Sequence, residues 1–355
     1  MFINTKKSSL ILYLNKMNKL KLTKTILLLF ILISIIGGII AVTILTRNYP
    51  QKTIDTSNNI EISEENLNKL VNPTKENINY TLKVENEFKD MASIVTTQKV
   101  YKIDKENKYF PSKDFAEKTA YKMNLNLISN EHNIILYGND DKTEHLEYYV
   151  GQYQFRIVYT NNLDKQYTHI LSQEKASSYA KTQLENLGLW PYEEDNYRVT
   201  YQYYDISGNN YVESDTDTNA ALLKVNFSSL IENYPIILKT SNSGEIEVTF
   251  DLSQNIKSIT YTYRPVLKDK YINYPIVSSD FALNRISYGE GEIFLPFEAY
   301  DPEKVTINNI SVVYKIELTE QEYIQPVYVF EGYDNKEQHF NILFPLIEED
   351  YLILK

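Results

Sequence analysis

The chain has 355 residues, of which 43% are hydrophobic, 31 are tyrosine and none is cysteine; its formal net charge is −11. Without cysteine there is no disulfide framework, thiol nucleophile, Cys-ligated zinc site or lipid-modified N-terminal cysteine. Residues 1–24 hold six lysines and no acid, and the remaining 30 basic and 47 acidic residues leave a net −17, which argues against a nucleic-acid partner, whose phosphates call for a basic face.

Residues 25–46 read TILLLFILISIIGGIIAVTILT, with no charge over 22 positions and with Lys24 and Arg47 at the two ends. As a helix this run spans roughly 33 Å, enough for a hydrocarbon core of about 30 Å. The basic flank predicts a cytoplasmic N-terminal segment (1–24), a single-pass transmembrane helix (25–46) in the cell membrane and a C-terminal part outside. A cleaved signal peptide has a shorter apolar stretch and a small-x-small site; AVTILTRNYP offers none. A pilin-like leader is excluded because the run lacks the Gly before a cleavage point and the Glu just inside it. Residues 47–80 are polar and read as a stalk or linker, with a short helix at Ser63–Val71.

Beyond the linker the pattern alternates. A strand is expected over 91–104, then a helix over 112–125, where Phe115, Ala116, Ala120, Tyr121 and Met123 fall near helical spacing after Ser112 or Asp114 as N-cap. Strands follow at 133–138 and 146–160. A second helix covers 172–190, with Ala176, Tyr179, Ala180 and Leu184 on one stripe and Gly188 as C-cap. Strands are then read at 197–206, 220–231, 234–238, 245–252 and 256–266, with hairpin turns at Ser243–Gly244 and Ser253–Asn255. Ser278 or Ser279 opens a short helix through Ile286, and strands close the chain at 305–318, 324–333 and 338–347. The expectation is an α+β fold: an N-terminal transmembrane helix followed by helix-on-antiparallel-sheet lobes, one over 81–200 and one over 201–355.

Candidate chemistry is sparse. His132, His145, His169 and His339 form no metal-binding pair at helical spacing. YGEGE (288–292) lies after a helix and before a strand, the reverse of a phosphate loop, so Gly289 and Gly291 read as a turn. ESDTDTNA (213–220) places Asp215, Asp217 and Asn219 at alternate positions as a calcium loop does, but Ala220 replaces the required Gly and Asn226 stands where the bidentate Glu belongs; it reads as a solvated acidic loop. The carboxylate pairs Asp140–Asp141, Glu193–Asp195 and Glu348–Asp350 lack any sequence sign of a shared cleft. No catalytic, cofactor-binding or metal-binding residue is therefore assigned, and no cofactor is expected. Two tyrosine runs, EYYVGQYQF (147–155) and YQYYDI (201–206), put Tyr on both faces of an expected strand, one for packing and one open to a glycan or a peptide.

The segment KVNFSSLIENYPIILKTSNSGEIEVTFDLSQNIKSITYTYRP and the later SSDFALNRISYGEG and YIQPVYVFEGY resemble the extracytoplasmic modules of the YycH/YycI type over residues 220–347. PepSY-like modules share the helix-on-sheet plan more distantly. The resemblance implies a binding or regulatory role, such as restraint of a membrane sensor kinase, and not catalysis. The expected partners are the lipid bilayer and a membrane or envelope protein. The competing expectations are a scaffold of a secretion, division or cell-wall complex, and an envelope hydrolase. Within YIQPVYVFEGY, Pro326 is expected at a strand start or edge, and Glu331–Gly332 at a turn.

Overall fold

The computed structural model describes residues 81–84, 97–160, 170–193, 196–207, 210–214, 217, 220–294, 304–335, 339–348 and 350. The chain divides into two units, Met1–Thr53 and Ile54–Lys355, and every described residue belongs to the second.

In chain order the elements are β1 (Thr81–Val84), β2 (Thr97–Ile103), α1 (Lys113–Lys122), β3 (Asn126–Glu131), β4 (Ile134–Gly138), β5 (Glu144–Tyr149), β6 (Gln154–Tyr159), α2 (Gln173–Leu187), β7 (Tyr197–Ser207) and β8 (Asn210–Ser214). They continue with β9 (Leu222–Ile231), β10 (Tyr234–Ile237), β11 (Ile246–Asp251), β12 (Ile256–Tyr261), β13 (Val266–Pro275), α3 (Ser279–Ile286), β14 (Glu292–Phe294), β15 (Lys304–Lys315), β16 (Tyr323–Asp334) and β17 (His339–Pro345).

Local chemistry explains the helix ends. The Ser112 hydroxyl accepts from Phe115 N at the start of α1, and Ser278 accepts from Phe281 N at the start of α3. Gly188 closes α2 in the left-handed conformation, φ 74°. Small residues on the buried stripes, Ala116 and Ala120 of α1 and Ala176 and Ala180 of α2, bring both helices close to strands, and Leu184 fills the remaining depth.

Nine strands form an antiparallel array in the order β3-β4-β5-β6-β12-β11-β9-β7-β8. One face, carrying Phe155, Ile157, Val225, Phe227, Val248, Phe250, Ile259 and Tyr261, forms the first core with α1 and α2. A second array centres on β15. It pairs in parallel with β1 and β10 along one edge and antiparallel with β16, which leads to β17 and β14. β2 joins β13 and the first residues of β16. The hairpin β9–β10 carries pairing from one array to the other. Its two turn residues, Glu232 and Asn233, both take positive φ (51° and 73°), as a tight twisted hairpin requires.

These pairings overturn the expected architecture of helix-on-antiparallel-sheet lobes behind a transmembrane helix. Seventeen strands and three helices are present among the described residues, and the strands connect into one mixed network. The excess of strand has a physical source. β3 and β8 are polar edge strands with no apolar alternation to announce them, and the expected single strand over 146–160 is two strands folded at Gly151, φ 82°. No helix among the described residues is long and apolar enough to cross a membrane, against the single-pass membrane reading. The segments assigned to a basic terminus (1–24), a transmembrane helix (25–46) and a linker (47–80) lie outside the described residues.

The reading of YIQPVYVFEGYDN also changes. Pro326 lies inside β16, not at its start, and Gly332 is a strand residue, not a turn. Val327 is the first β16 residue laddered to β17, and the Pro326 carbonyl accepts from Leu346 N just past the end of β17. The N–H and C=O of one strand residue point to the same side. The missing proline N–H therefore falls on the β17 side, where that ladder has stopped, and no bond to β15 is lost. Gly332 is needed because a Cβ there would lie 1.9 Å from Thr306 O, at the irregularity between Ile307 and Asn309.

Candidate functional site at the seam of two cores

Trp190, the chain's single tryptophan, follows the α2 C-cap. Its ring meets Tyr192, Tyr197 and Phe227 nearly edge-on, at centroid distances of 4.9, 5.1 and 5.2 Å, the geometry that aligns ring edges with ring faces. Tyr192 stacks on Tyr197 and donates its hydroxyl to Phe227 O at 3.0 Å. Burial pushes the Tyr192 phenol well above its usual range. The cluster is a rigid wall, with Lys181 of α2 5.2 Å above the Trp190 ring.

Beside this wall is a recess of about 430 Å³, bounded by the loop after β2, the Trp190–Glu193 segment, the β9–β10 hairpin and the connection from β12 to β13. Two of its lining residues, Ser229 and Arg264, are held from behind by Glu245, which is fully buried. One carboxylate oxygen accepts from Ser229 N at 2.7 Å and the other from Arg264 N at 2.9 Å. The Glu245 carbonyl accepts from Thr262 N and Thr262 Oγ1, and its own N–H donates to Phe227 O. One residue thus ties β9 to the end of β12. Burial pushes the Glu245 carboxyl up to about 7, against the pull of its hydrogen bonds and of Arg264. Gly244 permits this approach, since a Cβ there would sit 2.6 Å from Phe227 O.

Arg264 is equally buried. Its guanidinium donates to the carbonyls of Tyr153 (2.8 Å), Thr262 (2.9 Å) and Gln152 (2.8 Å), and lies 5.7 Å from the Phe110 ring centre and 5.8 Å from that of Tyr153. Burial lowers its pKa to about 10. Arg264 and Glu245 thus make no direct bridge among the described residues: each charge is met by backbone dipoles. That arrangement shapes a surface and leaves neither group free to react. The accessible chemistry is at the rim, where Lys108, Lys268 and Glu193 are exposed.

The residues singled out in the sequence are scattered. His132 lies in the β3–β4 turn and His145 sits opposite Gly138, at the other end of the β4–β5 ladder. His145 Nε2 is 3.3 Å from Glu147, and the His339 ring is 5.4 Å from that of Tyr333; His169 lies outside the described residues. Among the described residues no three His, Cys, Asp or Glu side chains converge as a metal site. Of the acidic loop 213–220, Glu213 and Ser214 belong to β8, Asp217 is exposed, and Asp215 and Asn219 lie outside the described residues. Asp140 and Asp141 are exposed in the β4–β5 turn. Glu193 reaches the rim while Asp195 lies outside the described residues, and Glu348 and Asp350 lie beyond the end of β17. Gly289 and Gly291 form a turn at φ 80° and 112°. In the tyrosine runs, Tyr148, Tyr201 and Tyr203 pack against the first core, and Tyr149 donates to Glu147. The residues that build the recess carried one faint signal, a lone Trp just past a helix-closing Gly.

Comparison with known proteins adds little to this geometry. The chain matches no protein family and no curated protein. Among solved structures, an uncharacterized protein from Eubacterium rectale ATCC 33656 is similar with a TM-score of 0.39 and 15% identity, over 70% of this chain and 82% of that one.

Proposed function

We propose that the chain is a non-enzymatic binding and regulatory protein positioned outside a cell membrane, and that the recess at the seam receives a segment of a membrane or envelope protein. The observation behind this reading is the state of Glu245 and Arg264. The two charges beneath the recess are held by backbone groups, so they preorganise a shape and leave contact to the exposed rim. The resemblance of residues 220–347 to YycH/YycI-type modules points to the same class of role, restraint of a membrane sensor.

A photocrosslinking side chain introduced at Lys108 or Lys268, in intact cells, tests the proposal. The expected result is one specific adduct with a membrane or envelope protein, absent when the probe is at Tyr121, which is 83% exposed on α1. Protease added to those cells is expected to cut the described part. Equal labelling from all three positions, or full protection from the protease, would overturn it.

A further inference from the structure

The first core occupies only one face of the nine-stranded array. The other face carries a second recess, of about 620 Å³, at the ends of β6, β12, β11, β9 and β7. Its lining includes Arg156, Lys224 and Lys257 and, among the described residues, no carboxylate. That is notable in a chain with 47 acidic and 36 basic residues. Tyr159, Tyr204 and Tyr211 form its aromatic part, with Tyr211 58% exposed beside Ile206 at 62%. Thr160, Thr249 and Ser258 add hydroxyls.

The three cations are in different states. Lys224 is 3.5 Å from Glu247 and 5.2 Å from the centre of the Tyr204 ring. Lys257 is 3.9 Å from Asp251. Arg156 is exposed and makes no ion pair and no side-chain hydrogen bond among the described residues. The carboxylate opposite it in the ladder, Glu147, is engaged by Tyr149 Oη at 2.7 Å and by His145. Nearby Glu213 accepts from Gln202. One guanidinium is therefore left with its planar fork of donors unfilled, and that fork matches carboxylate or phosphate oxygens. Tyrosine faces beside hydroxyls suit the flat, hydroxyl-bearing faces of sugar rings, which an isolated anion does not offer.

We propose that this face binds an acidic glycan, a polyhydroxylated chain carrying carboxylate or phosphodiester groups, with Arg156 on the anion and Tyr204 and Tyr211 against the chain. The site is separate from the seam recess and stands or falls without it.

The test uses the full-length chain in mild detergent, titrated calorimetrically with oligogalacturonate, with polyglycerol phosphate and with neutral maltohexaose. Binding of either anionic probe is expected, and the one that binds identifies the source of the charge. Arg156→Gln and Tyr211→Ser should each weaken it about tenfold, the scale of one charge-assisted hydrogen bond or one aromatic contact. Tyr121→Ser, on α1, should leave it unchanged. Both site positions are exposed, so the variants keep their melting temperature, which is checked alongside. Failure of both anionic probes to bind, maltohexaose binding as tightly as they do, or affinity indifferent to both site variants overturns the proposal.

Discussion

The two arrays bury their strands in different ways. In the nine-stranded array β11 alternates buried and half-buried positions along Ile246–Asp251, one face to the core and one toward polar side chains. In the second array β16 is buried at eight consecutive positions, Tyr323 to Phe330. There Val327 and Val329 join a cluster with Ile237, Val313 and Leu343, while Tyr328 and Phe330 join the cluster of Ile307, Ile342 and Ala282. A strand covered on one face leaves the other available for ligand chemistry. A strand covered on both is committed to holding the molecule together. The first array is thus the place to look for surface function, and the second the place where damage costs most.

The largest expected effect lies in the doubly covered strand. Phe330→Ala should destabilise by about 3–5 kcal/mol, since it removes a fully buried ring from a site with little room to relax. Urea unfolding followed by circular dichroism measures it, and a loss under about 1 kcal/mol would erase the contrast between the arrays.

Next is Glu245 at the seam. Its folded pKa, about 7, lies above the ordinary 4.5. The folded state therefore binds the proton more tightly, and the contribution to stability is full below about pH 4.5 and lost as pH rises to about 7. The loss is on the order of 3 kcal/mol. Unfolding of the native chain and of Glu245→Gln should differ by an amount that changes across this window and levels off above it. A constant difference from pH 4 to 8 would remove Glu245 as the titrating group.

Gly332→Ala should cost about 1–3 kcal/mol, because its Cβ would force β15 and β16 apart at Thr306. Thermal melting reads this. Smallest is Lys257→Ala on the open face. Its loose contact with Asp251, at 3.9 Å, is open to solvent on the lysine side, so the change should stay within about 0.5 kcal/mol. A larger loss there would mean that the open face also carries the fold.

Parts of both arrays were legible from single segments. The caps at Ser112, Ser278 and Gly188 and the turn at Ser253–Asn255 involve partners within a few residues, so their chemistry is written locally. The strands β3 and β8 escape a reading by pattern because edge strands need no apolar alternation, and 146–160 reads as one strand because a hairpin turned by Gly151 keeps the aromatic content of a strand. The seam recess was hidden for another reason. Arg264 is satisfied by the carbonyls of Gln152 and Tyr153, more than a hundred positions away, and nothing near YRP marks that pairing.

The sequence by itself determined the acidic character, the helix ends, the turn at Ser253–Asn255 and the strand-rich composition, all properties of residues or of close neighbours. Only the tertiary structure decided that Pro326 sits within a central strand, that Gly332 is a point of closest approach, and that Glu245 and Arg264 are buried on backbone groups. Those outcomes depend on which distant segment lies alongside, and the energy of such contacts is set by burial and hydrogen bonding that no local stretch contains.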